Sequence, residues 1–124
     1  MTLSISAETI LTAATLAAGG STADSTAIDG SAVVALGITA IMTLHASATA
    51  GARVSVVAGP DAAHLAPIPV QTVDVPTTFK SPTVTGVSFS VLPGHKVYVA
   101  YVQNLDPVQT ITGITVYAEP QVLS

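Results

Sequence analysis

Residues 27–53 read AIDGSAVVALGITAIMTLHASATAGAR, and no charged side chain lies between Asp29 and Arg53. Such a stretch is a membrane span, a buried helix, or a strand and its turn. A membrane-spanning helix needs about 20 mostly apolar residues. Residues 32–52 have that length, but Thr39, Thr43, His45, Ser47 and Thr49 interrupt them. The interruptions are regular. Leu36, Ile38, Ala40, Met42, Leu44 and Ala46 share one parity, whereas Gly37, Thr39, Ile41, Thr43, His45 and Ser47 share the other. Successive side chains of a strand point to opposite faces, so this pattern builds one aliphatic face and one carrying hydroxyls and an imidazole. Gly37 and the β-branched residues also favour a strand. Positions 36, 40 and 44 share a helical face as well, which keeps a helix as the alternative. The strand reading is preferred, with ATAGAR at 48–53 turning into the next strand.

The same period continues downstream. Val54, Val56 and Ala58 alternate with Arg53, Ser55 and Val57, and Val87, Phe89 and Val91 alternate with Ser88 and Ser90. Ile114, Val116 and Ala118 alternate with Thr115, Tyr117 and Glu119, and VQTVDVP at 70–76 is a shorter strand. KVYVAYVQN, residues 96–104, is apolar on both parities and is expected to be covered on both faces, centrally in the fold or at a subunit contact. Turn signals separate the runs: Gly59-Pro60-Asp61, Pro67 and Pro69, Pro93-Gly94, and Asn104 with Asp106-Pro107. The apolar parity shifts between Val84 and Val87, so a bulge or a kink is expected at Gly86.

The first residues are less regular. TLSIS alternates, AETILTAATLAAGG reads as a short helix ending at Gly19 or as a second extended piece, and GGSTADST has the composition of a flexible connection. The chain is therefore expected to be all-β, a single-domain antiparallel β-sandwich of jelly-roll or immunoglobulin-like type. Residues 1–24 form an extended N-terminal arm or linker, and residues 25–124 form the sandwich. A secretory signal is not favoured, because the start lacks a basic segment and carries Glu8.

Composition narrows the function. Of the 124 residues, 49% are hydrophobic and only 8% charged, against roughly a quarter charged in ordinary domains. So little charge covers a lone monomer thinly, which suggests that much of the surface faces other protein. The net charge of −4 disfavours nucleic acid as a partner. Without cysteine there is no disulfide framework and no thiolate metal site.

No chemistry stands out. His45, His64 and His95 show no metal-ligand spacing, so no metal or cofactor is expected. The G-x-S-x-G elbow, the P-loop and the GxGxxG fingerprint are missing. Asp24, Asp29, Asp61, Asp74 and Asp106 mostly sit beside Gly, Pro, Ser or Thr, where backbone hydrogen bonding explains them better than acid–base work. No catalytic residues are assigned, and the chain is read as a non-enzyme.

The segments STAIDGSAVVALGITAIMTLHAS, RVSVVAGPDAA and PGHKVYVAYVQNLDPVQTITGITVYAEP together resemble small virion accessory proteins of tailed bacteriophages, over about residues 25 to 119. The chain departs from the pattern in two places: Gly59-Pro60-Asp61-Ala62 stands where Asp-Gly is usual, and Ala100 replaces a basic residue. The resemblance implies a capsid decoration (cement) protein that binds the major capsid protein lattice and stabilises the shell, located on the virion. A homo-oligomer, a trimer by analogy, accompanies that role. The alternative is a tail, collar or fibre-associated module binding a host glycan or another virion protein, and a cell-surface or secreted protein is a third class. Leu3, Ile5, Ile10 and Leu11 of the arm, with Tyr98 and Tyr101, are the expected interface residues, since apolar side chains outside the alternating core need cover. No membrane partner is expected.

Overall fold

The computed structural model describes residues 3–5, 7–30, 33–66, 69–77, 83–90 and 97–123, with the side chains of 3–5, 34, 83–90 and 123 outside that description. Nine strands and no helix occur among the described residues. They are β1 (Leu3–Ile5), β2 (Glu8–Leu16), β3 (Ile28–Asp29), β4 (Val33–Leu44), β5 (Ala52–Gly59), β6 (Gln71–Val75), β7 (Thr83–Ser90), β8 (Val97–Asn104) and β9 (Ile111–Leu123). The opening stretch thus holds the short strand β3, the whole of β4, the turn at 45–51 and the first residues of β5. No described helix is long and apolar enough to cross a membrane.

The strands form two antiparallel sheets. A five-stranded sheet runs β1-β9-β4-β7, with β2 also paired to β9, and a four-stranded sheet runs β3-β8-β5-β6. Reading β2-β9-β4-β7 against β3-β8-β5-β6 gives the double Greek key of a jelly roll. The alternation read from sequence sets the core. Leu36, Ile38, Ala40, Met42 and Leu44 of β4 and, beside them in the same sheet, Ile114, Val116 and Ala118 of β9 are buried in one core with Val54, Val56 and Ala58 of β5 from the other sheet. Each large aliphatic side chain so buried contributes about 1.5–3 kcal/mol of hydrophobic stabilisation.

β8 is central, between β3 and β5, and both its faces are covered: Tyr98 and Val102 lie in the core, while Val99 is buried on the opposite face. β5 behaves likewise through Val57 and Ser55. The expected bulge at Gly86 does not occur. The β4–β7 ladder runs without a shift from Thr83 to Ser90, with Val84 opposite Ile41 and Val87 opposite Ile38. Both partners are apolar, so the change of parity needs no extra residue. The irregularities fall elsewhere: the β2–β9 register shifts between Thr9 and Leu11, and β9 carries a left-handed Gly113 at φ 63° beside the shift between Ile41 and Thr43. At such a φ a side chain is strained, which suits glycine.

The N-terminal residues do not form a free arm. β1 and β2 lie one after the other along the same side of β9, β1 against Leu123 to Gln121 and β2 against Ala118 to Ile111. The helical alternative for 7–20 is likewise not adopted. Alternating Thr and aliphatic residues in TILTAATL suit an edge strand with one buried face, and Ile10 and Leu16 are buried.

GGSTADST, expected to be a flexible connection, is a hydrogen-bonded crossover from one sheet to the other. The Thr22 amide donates to the Val102 carbonyl (2.9 Å) and the Ser25 amide to the Ala100 carbonyl (2.8 Å). In return the Val102 amide donates to Thr22 Oγ1 (3.0 Å) and the Ala100 amide to Ser25 Oγ (2.9 Å). Hydroxyls thus take the place of ladder carbonyls along the edge of β8.

Candidate functional site

The polar side chains divide into two sets. The first closes one end of the sandwich. Asp106, 2% exposed, accepts through Oδ1 from the amides of Val108 (2.8 Å) and Gln109 (2.9 Å). Through Oδ2 it accepts from the amides of Thr49 (2.7 Å) and Ala50 (3.1 Å). The amides of Gln109, Val108, Ala50 and Thr49, in that order, hold its carboxyl well below the usual carboxylate range. Asn104 Nδ2 donates to the carbonyls of Gln109 (2.8 Å) and Ala17 (3.1 Å), and Asn104 Oδ1 accepts from the Asp106 amide (3.0 Å). The turn after β2, the β4–β5 turn and the β8–β9 loop are tied together there. Every oxygen is occupied by backbone, so the cluster is a clamp. Sequence reading identified Asp106 as a turn residue but missed this reach, because its amide partners at 49 and 50 carry no side-chain signal.

The second set is spread over the outer face of the five-stranded sheet, where β2, β9 and β4 lie side by side. Register places Thr9, Tyr117 and Thr39 in one row. The next row is Thr12, Thr115 and Ile41. The third is Thr15, Thr112 and Thr43. The β2 members and Thr112 are exposed and the others half-buried. The patch holds no carboxylate, ammonium or guanidinium. Glu119 stands at its corner, lying over Gly37, and accepts from Thr39 Oγ1 at 2.6 Å. Neighbouring strands are about 4.8 Å apart and residues of one face about 7 Å apart along a strand. The result is a grid of hydroxyls and methyls around one phenol ring. The hydroxyl-bearing parity of β4 was visible in the sequence; its alignment with the Thr residues of β2 and β9 was not.

The residues expected at an interface fall in different places. Ile10 (5% exposed) and Tyr98 (1% exposed) belong to the chain's own core, because the parity of β2 and β8 turns them inward. Leu11 is half-buried and packs against that core. Tyr101 is half-buried on the outer face of the other sheet, opposite Ser55. Leu3 and Ile5 pair with Leu123 and Gln121, and their side chains lie outside the described residues, as does His95. His45 is exposed in the β4–β5 turn, where its Nδ1 accepts from the Ser47 amide, and His64 is exposed beside Asp61 at 2.7 Å. No group of three or more His, Asp or Glu is placed to hold a metal among the described residues. On the other sheet's outer face, Arg53 Nε donates to Asp74 Oδ1 at 2.8 Å, which holds that carboxyl below its ordinary value.

No protein-family model matches the chain, and no curated protein matches it. Solved structures do. One belongs to the Bacillus endospore appendages, described as a family of disulfide-linked pili, at TM-score 0.50 and 14% identity, covering 99% of this chain and 90% of that one. Another is a family 16 carbohydrate-binding module, also at TM-score 0.50 and 14% identity, covering 88% of this chain and 74% of that one. At such identity the likeness is one of fold.

Proposed function

We propose that this chain is a non-catalytic structural protein that packs among many protein copies, with the decorated shell of a tailed-phage virion as its setting. The observation that carries the reading is the hydroxyl grid on β2, β9 and β4, three rows of an outer face that hold no ionised side chain, with Glu119 at their corner. Such rows suit close protein contact, since no charge within them must be desolvated to cover them. The most connected buried carboxylate, Asp106, is spent on backbone amides and is closed to a substrate. Similarity to a pilus subunit supports the use of such a sandwich in assemblies. Disulfide links are closed to a chain without cysteine, so its contacts differ from those of the disulfide-linked pili in that respect. Multiplied over a lattice, weak contacts give high avidity. Quantitative mass spectrometry of purified particles tests this: copies in fixed ratio to the major shell protein are expected, and absence from the particles overturns the virion setting.

A second reading, glycan binding, is favoured by Tyr117, a ring amid hydroxyls on a sheet face, and by the likeness in fold to a carbohydrate-binding module. One aromatic without flanking free carboxylates or amides is a sparse sugar platform, so this reading ranks second. A glycan array separates the two.

A further inference from the structure

We infer that the Thr-rich outer face of the five-stranded sheet is where a second copy of this chain docks, face on face. The inference rests on the reading of the chain as an assembly protein and names the surface and the partner.

Three observations select a second copy. A two-fold interface places one patch against itself, so its groups must satisfy their own kind. Hydroxyls do this, each being donor and acceptor, and threonine methyls pack on one another; carboxylates or ammonium groups repel. The rows through Thr12–Thr115–Ile41 and Thr15–Thr112–Thr43 consist of such self-complementary side chains. Second, two copies of a chain of net charge −4 repel generally, and the three rows of this face add nothing to that repulsion, the Glu119 carboxylate lying at their corner, hydrogen-bonded by Thr39. The opposite outer face carries Arg53 and Asp74 instead. Third, the area is close to what a stable interface needs. β4 has 12 residues and β9 has 13, so the face is about 40 Å long, and the three strands are about 15 Å across. That footprint of roughly 600 Å², before side-chain relief is counted, approaches the roughly 800 Å² per partner of stable interfaces. Tyr117 gives the patch an amphipathic anchor of the kind that concentrates binding energy.

Sedimentation of the full chain over a concentration series tests the inference. A dimer is expected for the native chain and for Thr115→Ser, which keeps the hydroxyl. Thr12→Arg with Thr115→Arg is expected to give a monomer with unchanged circular dichroism, and Thr12→Glu with Thr115→Glu is the second variant should arginine disturb folding. Thr72→Arg, on the outer face of β6, should leave the dimer intact. A native chain monomeric throughout, or a dimer broken by Thr72→Arg and not by the Thr12/Thr115 variants, overturns the inference. So does a monomer that binds immobilised glycans and loses them in Tyr117→Ala. If a monomeric chain still occurs in fixed ratio in purified particles, this inference fails while the assembly reading stands. A dimer broken by the Thr12/Thr115 variants but absent from particles upholds the docking face and removes the virion setting.

Discussion

The Asp106 carboxylate and the Thr49 amide nitrogen are 2.7 Å apart although 57 positions separate them in sequence. The bond joins the β8–β9 loop to the β4–β5 turn, and three further backbone amides complete the carboxylate's coordination. In Asp106→Asn one oxygen becomes an NH₂ group facing amide donors. Two loops then lose acceptors, and the thermal midpoint is expected to fall by roughly 10 °C. A differential scanning calorimetry trace within a degree or two of the native one would show that the clamp contributes little to stability.

The same carboxyl governs behaviour in acid. Its folded value lies far below the ordinary 3.8 because amides favour the charged form. The stabilisation is therefore fully present above that ordinary value and is lost as pH falls below it toward the folded value. Stability should be level from neutrality to about pH 5 and decline below about pH 4, and Asp106→Asn should flatten that decline. Urea melts at several pH values give the comparison.

The crossover from β2 to β3 depends on two hydroxyls. Thr22→Val and Ser25→Ala each leave one β8 amide, of Val102 or Ala100, without its acceptor. A cost of about 1–2 kcal/mol each is expected. Amide hydrogen exchange should accelerate at Val102 in the first variant and at Ala100 in the second, well before neighbouring β5 amides respond.

Ser55 Oγ is buried, the residue being 1% exposed, and has no hydrogen-bond partner among the described residues. Ser55→Ala removes a desolvated hydroxyl and should stabilise the fold by about 1 kcal/mol. A destabilised variant would show that the hydroxyl is satisfied.

Arg53 and Asp74 supply a contrast. Their side chains are 42% and 62% exposed, and exposed ion pairs contribute little. Arg53→Ala should leave the thermal midpoint within about 2 °C of the native value, while Gly51→Ala, whose Cβ would collide with the Val75 carbonyl, should lower it clearly. Equal effects would contradict the close packing of the β4–β5 turn on β6.

Alternation in β4, β5, β8 and β9 could be read directly from the residues, because the pleat sends neighbouring side chains to opposite faces whatever the strand pairs with. That local rule yielded the all-β class, the inward aliphatic row of Leu36 to Leu44, and the two-sided cover of β8. It could not say that Glu8–Leu16 adds to β9 instead of reaching outward, that Tyr98 turns in while Tyr101 stays half-exposed, or that Thr22 and Ser25 edge β8. Nor could it align the threonines of β2, β9 and β4 into one face. Those outcomes depend on which strands meet, and the contacts that decide it, such as Thr39 with Glu119 across 80 positions, leave no periodic trace in the chain.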